Sequence, residues 1–351
     1  MNLSHINVKR LFAVTSMNEL RIGKIDPAVL EQLIFDYTQA DSSVVLGPGI
    51  GEDVAVIDMG DRCLMAKTDP ITHVTGEIGY YAVHINANDI AATGGTPMWF
   101  LATVLMPEHS RREDLDQIFA QISSSCGNLG IVYCGGHTEV TTGVNNPIVV
   151  GQMLGEVDKA RLKPTSRAQP GDDLIMTKWA AIEATSIMAI DCSQELTKHF
   201  SKDMISRASK YLYDPSISVI PEARIVSAYP QVHALHDPTE GGIATGIHEM
   251  AYASKVGVEV LGDQIPVSKE TAALCGFYAV DPLGTFASGS LLIASDPSAS
   301  YEVIEQLQAE GINAVRIGRF TNRDAGICMI KNGSREPLPR YDQDEISKIF
   351  G

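Results

Sequence analysis

A chain of 351 residues has room for about two domains, each with a core of its own. Hydrophobic residues at 44% and charged residues at 20% match ordinary globular usage, which excludes a disordered or collagen-like polymer. The 27 Lys and Arg against 43 Asp and Glu leave a net charge of −16, which repels a phosphate backbone and argues against nucleic acid as a partner.

Near the N-terminus, Lys9 and Arg10 precede only the short apolar run Leu11 to Val14, too little for a secretory signal. Val54 to Ile57 and Leu64 to Lys67 read as two strands of a hairpin turned at Asp58 to Asp61. Ile78, Tyr81, Ala82 and Ile85 recur at helical spacing, and Gly94, Gly95 and Pro97 end that helix. The longest strongly apolar stretch, Met98 to Met106, stops at Pro107, short of the roughly 20 residues a membrane helix needs. A second helix carries Leu115, Ile118, Phe119 and Ile122 on one face, with Glu113 and Asp114 at its positive end and Gly127 and Gly130 closing it. Ile131 to Cys134 then predicts a buried strand. Gly155 to Asp173, rich in Lys, Arg, Pro and Ser, predicts an exposed connection, which divides the chain into domains at 1–160 and 161–351. Leu174 to Thr177 restarts as a strand, and Ile243, Ile247, Met250 and Ala251 mark an amphipathic helix. The alternation of strands and helices points to an α/β or α+β architecture.

None of Cys63, Cys126, Cys134, Cys192, Cys275 and Cys328 forms a CxxC pair. Reduced, mostly buried thiols are expected, Cys134 among them, in a cytoplasmic protein with no membrane partner. His84 and His248 fall in helical patterns and read as packing or surface residues.

Several loops at strand or helix ends carry groups suited to ligands. Gly47 to Asp53 combines glycines with Glu52 and Asp53; Lys67-Thr68-Asp69-Pro70 ends a strand in a carboxylate; Asn86 and Asp89 share a helical face. Cys134 to Glu139 reads as a Gly-Gly corner bearing His137, Thr138 and Glu139. His236 to Gly242 precedes a helix whose N-terminus suits a phosphate. Each alone is equally readable as a glycine turn, a solvated carboxylate or a capped helix, and Lys67 and Lys178 as phosphate contacts or solvated strand ends. Together, carboxylates spread over several strand ends beside two Gly-Gly corners suit a nucleotide bound with Mg²⁺, which takes few carboxylates and completes its shell with phosphate oxygens. No Walker motif is present.

The series Gly51-Glu52-Asp53, Asp69, Asn88-Asp89-Ile90-Ala91-Ala92, Gly135-Gly136-His137-Thr138-Glu139 and Asp237-Pro238-Thr239-Glu240-Gly241-Gly242 resembles the aminoimidazole ribonucleotide synthetase (AIR synthase) related superfamily. The likeness is greatest to its HypE-like hydrogenase-maturation carbamoyl dehydratases. The resemblance implies a two-domain fold whose N-terminal domains share a β-barrel in a homodimer, with an α/β C-terminal domain. It also implies an ATP- and Mg-dependent enzyme that phosphorylates or dehydrates a small-molecule or protein-borne substrate, in a process linked to hydrogenase maturation. Its alternatives are a nucleotide-binding paralogue without turnover, or a kinase like the thiamine-monophosphate enzyme. Carried over by motif, Asp89, His137 and Asp237 are the catalytic residues and Asp53, Asp69 and Asp89 the metal ligands. Gly51, Asp53, Asp69, Asn88, Gly135, Gly136, Thr138, Glu139, Thr239, Gly241 and Gly242 hold the nucleotide. His137 stands where dehydratase and kinase relatives have Asp, as in the selenophosphate branch. Carbamoyl dehydratases end in Pro-Arg-Ile-Cys, whereas Pro339-Arg340 is followed here by Tyr341-Asp342 and a helical-looking stretch to Gly351, with no thiol beyond Cys328. Chemistry without a terminal thiolate is therefore expected.

Overall fold

The computed structural model describes residues 23–72, 76–341 and 343–350. The readings placed on Lys9, Arg10, Leu11 to Val14, Asp342 and Gly351 lie outside the described residues.

After helix α1 (Pro27–Tyr37), the first half builds strands β1 (Val44–Leu46), β2 (Ala55–Asp58), β3 (Cys63–Ile71), β4 (Thr96–Pro107), β5 (Val132–Thr141) and β6 (Ile148–Val157). Their order in one six-stranded sheet is β1-β2-β3-β6-β4-β5. The expected hairpin is present, with Asp58 paired to Cys63 across its turn. Helices α2 (Ile78–Ala92) and α3 (Arg112–Leu129) complete this half, α3 making the crossover between the parallel strands β4 and β5. The apolar run Met98 to Met106 lies within β4, where alternate residues Phe100, Ala102, Val104 and Met106 are buried. Among the described residues no helix is long and apolar enough to cross a membrane.

Two local expectations change here. The Gly-Gly corner is not a corner: β5 runs straight through Gly135 to Glu139, pairing Ala102 with Gly136 and Leu105 with Glu139. Its glycines permit a close approach of strands, since a Cβ on Gly136 would lie 1.9 Å from the Ala102 carbonyl oxygen. As part of an edge strand Cys134 is exposed rather than buried, its thiol 3.4 Å from the Phe100 carbonyl oxygen. Helix α2, in turn, is buried all round except at Tyr80, because it packs on β3, β6 and α3 and, from the second half, on helix α7 (Ile220–Val226) and strand β8 (Val232–His236).

The second half forms a seven-stranded sheet from β7 (Asp173–Thr177), β8 (Val232–His236), β9 (Gly257–Leu261), β10 (Leu292–Ser295), β11 (Ala314–Thr321), β12 (Ile327–Lys331) and β13 (Ser334–Pro337). The order is β13-β12-β9-β11-β7-β10-β8. Its helices are α4 (Ile182–Asp191), α5 (Ser193–Leu196), α6 (Lys202–Ser209), α7 (Ile220–Val226), α8 (Gly242–Ser254), α9 (Lys269–Tyr278), α10 (Pro297–Ala309) and α11 (Ser347–Phe350). Side chains alternate across the central strands. Leu174, Met176, Leu292 and Ala294 pack with Ile243, Ile247 and Met250 of α8. Ile175 and Ile293 pack with Ala223 and Val226 of α7, Val303 and Leu307 of α10, and Ala91 and Ala92 of α2. The mixed two-domain α/β architecture is as expected. Both sheets are open, so a barrel is not formed within one chain.

The connection between the sheets is more buried than its composition predicts. Leu162 to Thr165 are buried. The Lys163 backbone N–H donates to the Thr93 carbonyl, its Nζ donates to the Tyr229 and Val232 carbonyls, and the Thr165 hydroxyl donates to the Leu235 carbonyl. Polar side chains that stitch one domain to the other are thus read by composition as loop.

Candidate active site

The register of the first hairpin begins the site. Lys67 and Asp69, two apart on β3, project from the same face, and because Ala55 pairs with Ala66 the chain just before β2 brings Asp53 alongside them. Helix α2 lies across β3 and adds Asp89. The four groups meet at Lys67, whose Nζ lies 3.2 Å from Asp89 Oδ2, 3.6 Å from Asp69 Oδ2 and 3.8 Å from Asp53 Oδ1. From the second domain, the end of β8 contributes His236 and Asp237, which place ligand atoms within 4.8 Å of each other and of Asp53.

A second chain of contacts supports this group from behind. His236 Nε2 is 2.9 Å from Glu249 Oε2 on α8, and Lys24 Nζ is 3.1 Å from Glu249 Oε1. The Glu52 carboxylate accepts from the Ser166 backbone N–H at 2.9 Å, tying the loop before Asp53 to the interdomain connection. Gly51, at φ +76°, packs against Glu249 and Thr165, so the glycine loop docks on the second domain.

Burial and mutual repulsion shape the electrostatics. Burial disfavours the charge on Lys67, but Asp89, Asp53 and Asp69 override it and raise its pKa. Burial raises the Asp89 pKa against the pull of Lys67, with Asp53 and Asp69 adding to the rise. Asp237 is raised as well, by burial first and then by Asp89 and Asp53. Glu249 is held down to about 2: burial opposes this, and Lys24 and His236 outweigh it. Burial works against a charged His236, and Glu249 raises its pKa nonetheless. One lysine therefore faces Asp53, Asp69 and Asp89, with Asp237 close behind.

The Lys67–Asp89 contact lacks hydrogen-bond alignment, and the buried Asp89 Oδ2 has no hydrogen-bond partner. A set made mostly of carboxylate oxygens, with the His236 ring as its one nitrogen, fits a hard divalent cation of the Mg²⁺ kind better than a soft metal.

Sequence reading thus finds Asp53, Asp69, Asp89 and Asp237, which converge. Asn88 is corrected: it is fully buried, its Nδ2 donates to the Ile217 carbonyl at 2.8 Å and its Oδ1 accepts from the Val219 N–H at 2.9 Å, so it clamps the domains together and has no free face for a nucleotide. At the start of α8, the Gly241 N–H donates to the Asp344 carboxylate at 2.8 Å, so a carboxylate of this chain occupies the helix start beside Thr239 and Gly242. Gly135, Gly136, His137, Thr138 and Glu139 lie on β5, separated from β3 by β6 and β4, roughly 14 Å at ordinary strand spacing. They are not brought to the carboxylates of their own chain; His137 Nε2 instead sits 3.2 Å from Glu139 Oε2 on the exposed edge. The sequence reading leaves open whether the centre itself, Lys67, is a phosphate contact or a solvated strand end, and it does not find the His236–Glu249–Lys24 chain. The i,i+2 spacing of Lys67 and Asp69 on a strand was the available signal.

Residues 51–157 match the family model of the AIR synthase related protein N-terminal domain, and residues 169–331 that of the C-terminal domain. The chain belongs to the AIR synthase related family. This AIR synthase related protein is 26% identical over 313 residues to a putative hydrogenase expression/formation protein of Methanocaldococcus jannaschii, spanning 86% of this chain and 90% of that protein. It is 26% identical over 283 residues to the carbamoyl dehydratase HypE of Rhizobium leguminosarum bv. viciae, spanning 78% of each. Among solved structures, it resembles hydrogenase maturation protein HypE in complex with ATP, with a TM-score of 0.68, 21% identity, and coverage of 90% of this chain and 95% of that one.

Proposed function

We propose that this AIR synthase related protein binds ATP with a divalent cation at the Lys67 cluster and uses it to activate an oxygen of a small-molecule or protein-borne substrate. The observation that carries the reading is the imbalance of the cluster: Asp53, Asp69 and Asp89 surround one buried lysine, with Asp237 adjoining, and Asp89 Oδ2 is left without a hydrogen-bond partner. Asp53, Asp69, Asp89 and Asp237 are the residues that would hold the cation, which supplies positive charge to the phosphate oxygens. Lys67 adds a fixed cation at the same place, and His236, held by Glu249, buttresses Asp53 and Asp237. The relatives' names supply the reaction class, a hydrogenase-maturation step in which a carbamoyl group is dehydrated. Phosphorylating a carboxamide oxygen turns it into a leaving group, which is how ATP drives such a loss of water.

The edge strand β5 supports a homodimer within this proposal. It exposes Val132 and Val140 beside unpaired backbone groups, and β1 at the opposite edge exposes Val44 and Val45. Two such open sheets closing edge to edge would form a shared barrel and give Gly135 to Glu139 a partner surface.

Isothermal titration of the full chain with a non-hydrolysable ATP analogue tests the reading. Binding should require magnesium and be lost in Asp53→Ala and Asp89→Ala. Absence of binding, or unchanged binding in both variants, would refute it, and ADP release with a carboxamide substrate separates an enzyme from a nucleotide-binding paralogue.

A further inference from the structure

Away from the carboxylate cluster, the connection between the domains forms one wall of a cavity of about 460 Å³, closed on the other side by Pro230, Val232 and His233. That volume falls within the range of small-molecule sites. Its polar character is opposite to that of the molecule: the lining includes Lys163, Arg167 and His233 and no acidic residue, in a chain of net charge −16.

Of these three, His233 is paired with a carboxylate just behind the lining, Asp172, whereas Lys163 and Arg167 are not. Lys163 Nζ is fixed by the Tyr229 carbonyl at 2.9 Å and the Val232 carbonyl at 2.6 Å, which orient the ammonium without cancelling its charge. Arg167 spends one of its donors on the Leu162 carbonyl, at 3.1 Å, and among the described residues the rest of its guanidinium has no hydrogen-bond partner. Neither residue forms an ion pair among the described residues. The two cations are close enough to feel each other, since burial first and Arg167 second lower the Lys163 pKa. His233 Nδ1 is held by Asp172 at 2.9 Å, which sets the ring orientation and leaves Nε2 without a partner among the described residues. A fixed ammonium, a guanidinium fork with spare donors and an oriented imidazole around one cavity make a receptor for an oxyanion.

We propose that this cavity is a second anion site, separate from the Lys67 cluster, that takes a phosphate-bearing small molecule with its phosphate between Lys163 and Arg167. The same wall touches the candidate active site. The Ser166 backbone N–H that borders the cavity donates to Glu52, next to Asp53, and the Thr165 hydroxyl lies 3.4 Å from His236 Nδ1.

The test is calorimetric titration of the full chain, without magnesium or nucleotide, using inorganic phosphate and pyrophosphate as separate probes at low ionic strength. Saturable binding is expected. Arg167→Ala should weaken it about tenfold and Arg167→Glu abolish it, consistent with the loss of a charge-assisted contact. Asp89→Ala should leave it intact, which separates this site from the nucleotide site. Arg167 is exposed, so its variants should fold; Lys163→Met is the second probe, read only with its unfolding midpoint measured. Stronger retention of pyrophosphate identifies a diphosphate ligand, and equal retention a monophosphate. Absence of saturable binding with either probe, binding unchanged in Arg167→Glu, or binding lost in Asp89→Ala would each overturn the proposal.

Discussion

Two buried lysines stand near the seam between the domains, and they are held very differently. Lys67 faces Asp53, Asp69 and Asp89, none closer than 3.2 Å, with Asp237 adding repulsion behind them. Lys178 faces a single carboxylate, Glu222, at 2.7 Å, and its remaining donors go to the Ser216 and Ser218 carbonyls at 3.2 and 2.6 Å. The second arrangement pairs one ammonium with one carboxylate at close range, so it is balanced in charge. The first carries excess negative charge at distances too long for good hydrogen bonds, an arrangement that becomes favourable when a cation joins it. Charge balance, more than burial, separates a ligand site from a strut.

That contrast can be broken by substitution. Lys178→Met should be the most damaging change to stability, about 3–5 kcal/mol by chemical denaturation, because it strands the fully buried Glu222; the double variant Lys178→Met with Glu222→Leu should recover much of the loss. Asp89→Asn should behave oppositely. Affinity for the magnesium-bound ATP analogue should fall about a hundredfold in calorimetry, while the unfolding midpoint holds or rises, because a carboxylate disfavoured by burial and by its neighbours has been neutralised. If Asp89→Asn destabilises as Lys178→Met does, the distinction between the two clusters fails.

Neighbouring residues on α2 sharpen the comparison. Asn88→Ala should cost about 1–3 kcal/mol by leaving the Val219 N–H and the Ile217 carbonyl unpaired, with nucleotide affinity unchanged per folded molecule. The smallest expected effect is a pH dependence on the strut side. Burial, with Lys178 adding to it, pushes the His84 pKa down from 6.5 to about 4. The folded chain keeps this ring neutral where the unfolded chain protonates it, so its contribution to stability is present above about pH 6.5 and lost as pH falls toward 4. His84→Gln should flatten the urea midpoint across that window.

Much of this was legible in the sequence because it is local or periodic. The first hairpin, both helices that flank β4, and the start of β7 follow from apolar spacing and from glycine and proline stops. The aspartates at 53, 69 and 237 were found because each falls in a loop or near the end of a predicted strand, and Asp89 because it shares a helical face with Asn86. Those features that escaped depend on what packs against them from elsewhere. Asn88 and Asp89 are adjacent and equally buried, and no local pattern tells which one meets backbone and which meets Lys67. Gly135 and Gly136 carry the same signal in a turn as in a strand that must approach Ala102 closely. The stretch Gly155 to Asp173 reads as an exposed connection, because the hydrogen bonds from Lys163 and Thr165 to the Val232 and Leu235 carbonyls leave no trace in composition.

Because β3 and β6 cover α2 on one side and α7 and β8 cover it on the other, the halves of this chain are not interchangeable modules. A fragment ending at Val157 would present Ala91, Ala92 and the Asn88 amide to water, and would carry Asp53, Asp69 and Asp89 without Asp237. A fragment beginning after it would bare the apolar surface of α7 and keep an aspartate with no companions. The middle of the chain therefore has to be inherited whole.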